Sequence, residues 1–562
     1  MGKYFGIDLG TTYSCIATVQ EGATKVFNNY EGEPTTPSVI DLKEDGSYSV
    51  GSTAKEDILS DGVLVEEIKR YMGDPDYSIE VGGNKYTPVA LSALILKKLK
   101  EDVENQGETI EGVTITCPAY FGQIERQNTR AAGIAAGLNV LSVINEPTAA
   151  AYSYVMNKLT IGDKKVALVY DLGGGTFDVT LLEVEVVAKE DGSPKRIVKV
   201  ITSDGNATLG GKDWDHRLMD KIIEKACDQL ACTTEDITDD IETYKDITRK
   251  AEIAKKKLST TQVQKINIQA TNGNCKVEVT AEEFENLTQD LLDTTITLTN
   301  NVLDTLIAQG KKLDEVLLVG GSTRMPQVKR ALEANQKLIG VMDQVVITMH
   351  DPDQAVASGA ALWAETMGTE SEEQTTGGSS TSTNPPIPDP NNQTTGESSS
   401  STGLSNKPGS SIVVEEKLTK SYGLVILAND NVTEIVSNII FKDTPYDPRQ
   451  GIVNKNQYGT VIDNQKSISF RIMENTSTDA ETTVESSTEL YNFDFALPAG
   501  APRGTAIDVE YFFDPSAILH ISVKEGYTNT TCDNQQVQIK GVVSEEEALI
   551  TQQMLNGLKR ND

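Results

Sequence analysis

The sequence predicts a multi-domain protein in which an α/β domain is followed by an all-β sandwich. Before residue 368, short apolar runs end in glycine-rich turns that lead into helical segments, which is typical of α/β layers. After residue 411, short β-type runs recur at the spacing of a sandwich. Between them, residues 368–411 have only Ile387 and Leu404 as apolar residues, so too little surface can be buried for folding. We therefore expect an α/β domain over residues 1–367, a disordered linker over 368–411, a sandwich over 412–541 and a short C-terminal helix over 542–562.

The individual elements follow from hydrophobic periodicity. Apolar runs predict strands of the first domain over residues 4–9, 113–117, 166–171 and 316–319. Helices are predicted over residues 126–137 and from Pro326, and the charge-rich segment 213–307 is expected to be mainly helical. Alternating residues predict sandwich strands over residues 423–427, 435–441, 467–472, 491–495, 507–513, 518–523 and 536–539. Ser544 and the acidic residues after it predict the start of the C-terminal helix.

The charge balance excludes several classes of partner. With 50 basic and 83 acidic side chains, the formal net charge is −33, so the surface repels nucleic-acid phosphates and anionic lipid. No apolar run approaches the ~18–20 residues of a membrane-spanning helix. The cysteines lack paired or zinc-type spacing, and Asp8 lies where a signal peptide requires apolar residues. We therefore expect a cytoplasmic protein with no nucleic-acid partner and no membrane partner.

Two similar segments carry the chemistry. Residues 6–13 (GIDLGTTY) and 171–178 (DLGGGTFD) each place an Asp at the end of a strand, followed by glycines and Thr. The Asp can hold hydrated Mg²⁺, the glycines let backbone N–H groups approach phosphate oxygens, and the Thr hydroxyls add donors. One such segment alone is as often a tight turn, but two facing each other would grip a triphosphate from both sides. The sequence has neither a phosphate-loop motif nor a Rossmann fingerprint.

Together with residues 145–151 (NEPTAAA) and 318–326 (LVGGSTRMP), these segments resemble the seventy-kilodalton heat-shock chaperone family. The resemblance covers residues 1–368 and resumes, more weakly, over 412–562. It implies a nucleotide domain with the actin-like, ribonuclease H-like fold and an ATPase that converts ATP and water to ADP and phosphate. It also implies ATP or ADP with Mg²⁺ as cofactors, and K⁺ as an optional further ion.

The resemblance also implies a role for each motif residue. Lys69, Glu146, Asp171 and Thr176 would be catalytic, and Asp8, Asp171 and Asp178 would position the metal ion. The nucleotide would be bound by Gly10, Thr11, Thr12, Tyr13, Gly173, Gly174, Gly175, Glu252, Lys255, Ser259, Gly320, Gly321, Ser322 and Arg324. For Glu252 and Lys255, spacing alone favours a solvated helix face, and only the resemblance assigns them to the adenosine.

The second part resembles the family's peptide-binding sandwich through residues 497–504 (LPAGAPRG) and 518–523 (ILHISV). A groove for extended apolar polypeptides would be lined by Leu424, Leu427, Tyr458, Val461, Ile468 and Phe470. For Ile468 and Phe470, a place in the sandwich core is the alternative. Pro118 and Arg126 resemble the family's switch between the nucleotide state and the peptide site, two sites that linkage couples mutually.

Three departures from the family pattern concern coupling and partners. The connector at residues 412–416 (IVVEE) follows a long polar segment and keeps only part of the usual apolar character, which predicts weaker coupling. One short helix follows the sandwich where the family has a helical lid, which predicts fast peptide release. Ser142 replaces the Arg that usually contacts a J-domain co-chaperone, and Gly122 and Gln123 replace a usual Asn-Asp. These changes put J-domain stimulation in question, whereas a nucleotide exchange factor stays an expected partner.

The sequence therefore leads to an ATP-dependent molecular chaperone as the first hypothesis. The alternative is a nucleotide-switched binding module for a dedicated partner protein, with little general chaperone activity. The changed connector, the short C-terminal segment and the polar linker favour that alternative. An actin-superfamily kinase for a small molecule is a further rival, but the sequence suggests no second-substrate pocket and the sandwich would have no role.

Overall fold

The first lobe of the N-terminal α/β domain is built on a mixed sheet. A computed structural model describes residues 3–57, 60–349, 351–376, 412–428, 430, 432–514, 518–536, 539 and 541–561. The strands of this sheet are β1 (Tyr4–Asp8), β2 (Tyr13–Gln20), β3 (Ala23–Val26), β4 (Thr36–Pro37), β10 (Gly112–Cys117) and β11 (Val140–Asn145). They follow the order β11-β10-β1-β2-β3, with β4 paired to β2. Strands β10 and β11 run parallel to β1, whereas β2 and β3 continue the sheet as antiparallel hairpins.

The second lobe repeats this plan. Its strands are β12 (Lys164–Leu172), β13 (Phe177–Ala188), β14 (Pro194–Asn206), β17 (Glu315–Val319) and β18 (Ile347–Met349). Strands β17 and β18 run parallel to β12, and β13 and β14 continue as antiparallel hairpins. The first hairpin of each sheet therefore has an Asp at the same place, Asp8 at the end of β1 and Asp171 near the end of β12.

Smaller sheets and helices complete the two lobes. The remaining strands are β5 (Ile40–Leu42), β6 (Ser47–Val50), β7 (Val63–Val65), β8 (Ile79–Val81), β9 (Asn84–Tyr86), β15 (Val263–Ala270) and β16 (Gly273–Thr280). The helices are α1 (Ser52–Glu56), α2 (Pro88–Glu104), α3 (Gln123–Ala135), α4 (Glu146–Lys158), α5 (Gly211–Leu230), α6 (Thr234–Thr238), α7 (Ile241–Leu258), α8 (Ala281–Leu287), α9 (Gln289–Ala308), α10 (Pro326–Glu333), α11 (Gln336–Val341) and α12 (Ala355–Thr376). Residues Ile68–Tyr71 and Gly321–Arg324 form 3₁₀ turns.

The predicted strands and helices of this domain are confirmed, with one omission. The segment expected to be mainly helical contains α5 to α9 but also the hairpin β15–β16. The alternation of buried Ile266 and Ile268 with exposed neighbours has the period of a strand, and this face packs against α7. Within the described ranges, no helix is long and apolar enough to cross a membrane.

Helix α12 packs on the sheet of the first lobe through small residues. A Cβ on Gly6 of β1 would lie 2.0 Å from the backbone N of Ala361, so the helix packs directly on the sheet backbone. The Tyr4 hydroxyl donates to the Gly368 carbonyl (3.3 Å), and the helix continues to Thr376. The prediction that the linker begins at residue 368 is therefore wrong, because this packing carries the helix further. The rest of that predicted linker, residues 377–411, lies outside the described residues.

Two antiparallel sheets form the sandwich. One contains β20 (Ser421–Leu427), β21 (Glu434–Ile440), β24 (Ser467–Asn475), β25 (Glu481–Thr483) and β26 (Thr488–Ala496). The other contains β23 (Ile452–Gly459), β27 (Ala506–Phe513), β28 (Leu519–Glu525) and β29 (Thr531–Gln536). The sequence missed β23, because most of its residues are exposed and show no apolar alternation. The strand expected over 536–539 is instead β29, which ends at Gln536.

The connector docks on the second lobe as a strand. Strand β19 (Ile412–Lys417) pairs in parallel with the edge strand β14, and β22 (Pro445–Tyr446) pairs with β19 in turn. Val414 is 1% exposed and belongs to the same apolar core as Leu182 and Val198. The buried apolar side chains of β19 are those of Val413 and Val414. The connector therefore docks although it is less apolar than the pattern it resembles.

The C-terminal segment packs on the first lobe. Ser544 caps helix α13 (Glu545–Asn556) by accepting a bond from the Glu547 N–H, which confirms the predicted helix start. Ala548 and Leu555 are fully buried among residues of the first lobe, and α13 packs on α3 and α2. Strand β30 (Lys559–Arg560) then pairs in parallel with β6.

Candidate functional site

The two Asp–glycine turns border a cavity between the lobes. Its volume of about 960 Å³ lies at the upper end of the usual range for small-molecule pockets. The lining includes Asp8, Gly10, Thr11, Thr12, Tyr13, Lys69, Glu146, Asp171, Gly173, Gly174, Thr176, Glu252, Lys255, Ser259, Gly320, Gly321, Ser322 and Arg324. The structure therefore brings the four predicted catalytic residues together with all the predicted nucleotide-binding residues except Gly175.

The turns approach each other so closely that side chains would not fit between them. A Cβ on Gly174 would lie 1.6 Å from Thr12 Oγ1, and one on Gly175 would lie 2.3 Å from Thr11 Cγ2. Thr12 Oγ1 is itself buried and has no hydrogen-bond partner among the described residues. A buried hydroxyl without a partner is costly, so a polar atom of a bound ligand fits this cradle.

Helix α5 begins at the second turn and holds it in place. The N–H groups of Gly211 and Lys212 donate to the carbonyl oxygens of Gly173 (2.9 Å) and Gly174 (2.7 Å). Ser322 Oγ also donates to the Gly173 carbonyl (2.9 Å). The turn is thus held from two sides, and the N-terminus of this long helix lies beside it, where its partial positive charge favours an anion.

A buried ion pair lies between the two turns. Lys69 Nζ donates to Glu146 Oε1 at 2.5 Å, and the two residues are 3% and 6% exposed. The 3₁₀ turn Ile68–Tyr71 carries the lysine, and the glutamate is the first residue of α4. Burial disfavours the ammonium charge, but the carboxylates of Glu146 and Asp8 outweigh burial and raise the pKa of Lys69. The Lys69 ammonium group therefore stays charged beside the carboxylates of Asp8 and Glu146 at neutral pH.

The carboxylates around this cation fit a hydrated divalent ion. Burial and the charge of Glu146 raise the pKa of Asp8 to about 7, and the same causes raise the pKa of Asp171 well above its usual range. A metal ion would relieve this accumulation of negative charge. Among the described residues, no three metal-binding side chains cluster closely enough to enclose a bare ion. Mg²⁺ suits such a site, because it keeps several waters and uses one or two carboxylates plus phosphates.

We expect a metal–nucleotide complex to bind with release of protons below about pH 7, because Asp8 has to lose its proton to hold a cation. The affinity for Mg²⁺ with ADP should fall up to about tenfold per pH unit below that value and level off above it. Calorimetry in two buffers of different ionisation enthalpy measures the protons released. Asp8→Asn should reduce this release, while Asp171 continues to contribute in the same direction. An affinity that is constant between about pH 8 and about pH 6 would contradict the assignment.

A network of charged residues closes the other end of the cavity. Glu252 accepts from Lys55 Nζ (2.6 Å) and Lys256 Nζ (2.8 Å), and the Tyr13 hydroxyl donates to it (3.1 Å). Burial alone would raise the pKa of Glu252, but the two ammonium groups lower it. Lys55 lies in the first lobe and Glu252 in the second, so this contact bridges the cleft. Spacing in the sequence gives no signal for Lys55, whereas Lys256 adjoins the predicted Lys255.

The predicted residues Lys255 and Arg324 also line this end of the cavity. Lys255 Nζ donates to the Gly211 carbonyl and to Asp215 Oδ2, both at 2.8 Å. Arg324 pairs with Asp353 (2.5 Å), a cavity residue that the sequence analysis did not identify. Lys255 is 8% exposed, so the alternative prediction that it lies on a solvated helix face is wrong.

Two predicted site residues lie outside the cavity. Asp178 is not part of the lining and is 1% exposed, and its Oδ1 accepts a bond from the Ala119 N–H (3.1 Å), so this carboxylate holds the backbone after Pro118. Gly175 is not part of the lining either, and its carbonyl accepts two bonds from Arg70 (3.2 and 3.0 Å). Asp178 lies directly opposite Asp171 in the β12–β13 hairpin, so the two carboxylates share one face of the sheet, and the charge of Asp178 contributes to the raised pKa of Asp171.

Arg126 lies between the backbone that follows Pro118 and the residues that contact the docked connector. Arg126 donates to the carbonyl oxygens of Phe121 (3.1 Å) and Ala119 (3.3 Å) and to the side chain of Asn145. Asn145 in turn donates to Glu416 of β19. Asn145 directly precedes Glu146, so the connector reaches the ion pair of the cavity through one side chain.

Ser142, which replaces the family's usual Arg, is also buried. Its Oγ accepts a bond from Trp363 Nε1 (3.0 Å) and lies 2.9 Å from Thr114 Oγ1. The residue is 3% exposed, so this position offers no surface to a partner in this arrangement.

The predicted peptide-binding residues divide into two groups. Leu424 and Phe470 are 2% and 4% exposed and pack in the sandwich core, so their assignment to an open groove is wrong for this arrangement. Ile468 and Tyr458 are half-buried against the same core. Leu427 and Val461 are 41% and 43% exposed. Phe470 therefore belongs to the sandwich core, which was the alternative predicted from the sequence, because the face of β24 that carries it packs against the second sheet.

The buried Phe470 and the exposed Val461 predict different effects of substitution on the stability of the sandwich. Phe470→Ala should lower the free energy of unfolding of the sandwich by about 3–5 kcal/mol, because it leaves a cavity beside Phe493. Val461→Ser should leave that free energy within about 0.5 kcal/mol, because the side chain is exposed. Denaturant titrations followed by circular dichroism measure both values. Similar destabilisation by the two substitutions would mean that Val461 is also part of the core.

Comparison with protein families identifies one match. The family model described as Hsp70 protein matches residues 4–79 and 73–376. The matched region includes both turns, the Lys69–Glu146 pair and the cavity residues from Glu252 to Arg324, and it ends where α12 ends.

Proposed function

Because the chain belongs to the Hsp70 family, we propose that it is an ATP-dependent molecular chaperone. It hydrolyses ATP to ADP and phosphate and thereby controls binding and release of extended apolar segments of unfolded proteins. Members of this family are ATPases that bind ATP or ADP with Mg²⁺ and bind unfolded peptides and co-chaperones. The observation that carries the proposal is the buried Lys69–Glu146 pair between two matching Asp–glycine turns.

In the proposed reaction the protein positions a triphosphate and stabilises its charge. Bound Mg²⁺ would neutralise phosphate charge, and Asp8 and Asp171 would hold it through water. Lys69 keeps its proton at neutral pH and has N–H donors beyond the one that Glu146 accepts, so it can donate to the transferred phosphoryl group. Glu146, fixed by that bond, orients the attacking water. The Thr176 hydroxyl lines the same cavity and adds a donor there.

The docked connector supports coupling between ATP and peptide. Strand β19 extends the sheet that carries Asp171, and Glu416 bonds to the residue before Glu146. Gln123 N–H also donates to Glu474 of the sandwich (3.1 Å). A change in the cavity can therefore alter docking of the sandwich, and docking must alter nucleotide affinity in return.

One observation favours a second function, a nucleotide-switched module for a dedicated partner protein. Burial of Leu424 and Phe470 leaves Leu427 and Val461 as the exposed members of the predicted groove. A smaller apolar surface suits one specific partner better than many unrelated peptides. Ser142 is buried, so the position at which the family usually contacts a J-domain co-chaperone offers no surface here, which favours a restricted set of co-chaperones.

Two measurements on the full chain test these functions. ATP turnover is measured with and without an unfolded apolar peptide, and release of the labelled peptide is compared in ATP and ADP. Faster turnover with peptide, and faster release in ATP than in ADP, are expected for the chaperone. Turnover without any response to peptide would overturn general chaperone activity and support the dedicated module. Transfer of phosphate to an added sugar or alcohol would overturn both.

A further inference from the structure

The C-terminal end of helix α5 has an unusual pair of residues in contact. The helix ends at Leu230, and Ala231 adopts the left-handed conformation with φ +51°. The N–H groups of Ala231 and Cys232 both donate to the Cys227 carbonyl, the latter at 3.2 Å. The bond from Cys232 to Cys227 spans five residues and is the one that defines a Schellman helix terminus.

A Schellman terminus brings two side chains together. The residue after the left-handed position usually makes a hydrophobic contact with the residue that accepts its hydrogen bond. Here these two residues are Cys232 and Cys227, and both pack against the core of the second lobe while remaining partly exposed. Burial and the thiol of Cys232 raise the pKa of Cys227, as expected for two sulfurs in contact. Both thiols are reduced in the structure.

We propose that Cys227 and Cys232 form an oxidisable dithiol that closes to a disulfide on reaction with a small-molecule disulfide. One thiolate attacks the reagent, a mixed disulfide forms and one reagent thiolate leaves. The second cysteine thiolate then attacks the protein-side sulfur and displaces the second reagent thiolate. The protein loses two protons and two electrons, and the reagent is reduced to two thiols. The dithiol lies at the opposite end of α5 from the Gly211 contact with the cavity.

Cys275 is the rival partner for this reaction. It lies on β16, is partly exposed, and burial together with Cys232 raises its pKa. A bond between Cys232 and Cys275 would join α5 to the β15–β16 hairpin. No backbone hydrogen bond holds these two residues together in the described structure, whereas the helix terminus holds Cys227 and Cys232. The remaining cysteines of the nucleotide domain, Cys15 and Cys117, are buried and belong to other parts of the core.

Oxidised glutathione provides the test on the full chain. After equilibration, free thiols are alkylated and the protein is digested with trypsin. Cleavage after Lys225 and Lys245 places both proposed cysteines in one peptide, residues 226–245, and Cys275 in another. The expected product is peptide 226–245 with the mass of two hydrogens lost and no alkyl group. A peptide that carries glutathione or two alkyl groups, or that is linked to the Cys275 peptide, would overturn the proposal.

Single substitutions provide matched controls. Cys275→Ser should leave formation of the internal disulfide unchanged, because this residue is not part of the proposed pair. Cys232→Ser should abolish it and leave Cys227 either alkylated or joined to glutathione. Both positions are partly exposed, so serine, which is nearly the same size, should not prevent folding. Loss of the internal disulfide in Cys275→Ser would count against the proposed pairing.

Discussion

We expect Lys69→Ala to lower ATP turnover by at least about 10²-fold while nucleotide binding persists. Lys69 is the cation at the centre of the cavity, held by Glu146 Oε1 at 2.5 Å and almost fully buried. A fixed donor aimed at developing negative charge acts on the transition state more than on the bound nucleotide. Single-turnover assays measure the chemical step, and calorimetry with ADP measures binding.

The main alternative explanation for such a loss is misfolding. Removal of Lys69 leaves the Glu146 carboxylate buried without its cation, which destabilises the folded state. The double substitution Lys69→Ala with Glu146→Gln removes that charge, so it should restore thermal stability without restoring turnover. Lys85→Ala, on the exposed side of β9, is the matched surface control and should have normal turnover. Near-normal turnover in folded Lys69→Ala would refute the catalytic assignment.

The second large effect is expected from the connector, where Val414→Asp should separate the sandwich from the nucleotide domain. Val414 is 1% exposed in the apolar core beneath β19. The described core around Val414 is apolar, so burial of a carboxylate there costs several kcal/mol. Undocking avoids that cost, and it also removes Glu416 from Asn145. Small-angle scattering should show a larger radius of gyration, and peptide release should lose its difference between ATP and ADP.

A neighbouring residue of the same strand supplies the control. Glu415 is partly exposed and its carboxylate lies 4.0 Å from Lys199 Nζ, so Glu415→Gln should keep the docked arrangement. Both variants should still bind ATP, because neither residue lines the cavity, but only Val414→Asp should change the ATP affinity, because docking and nucleotide binding are linked. Normal nucleotide-dependent release in Val414→Asp would mean that docking of β19 does not carry the coupling.

The described residues also show why some predictions succeeded. The strands that end at Asp8 and Asp171 were predictable, because apolar periodicity and glycine-rich turns act over a few neighbouring residues. The same holds for the cap at Ser544. Burial within the sandwich was not predictable, because it depends on how the two sheets pack, so Leu424 and Phe470 were assigned to an open groove although both are buried.

The sequence by itself determined the two Asp–glycine turns, the order of the domains and most strands, because these features depend on local periodicity and on which residues permit a tight turn. Tertiary structure alone decided which distant side chains meet. The pairs Lys69–Glu146 and Lys55–Glu252 and the bond from Asn145 to Glu416 join separate lobes, helices and strands. Such contacts depend on how whole sheets pack and on which buried charges need a partner of opposite sign. No short stretch of sequence contains that information.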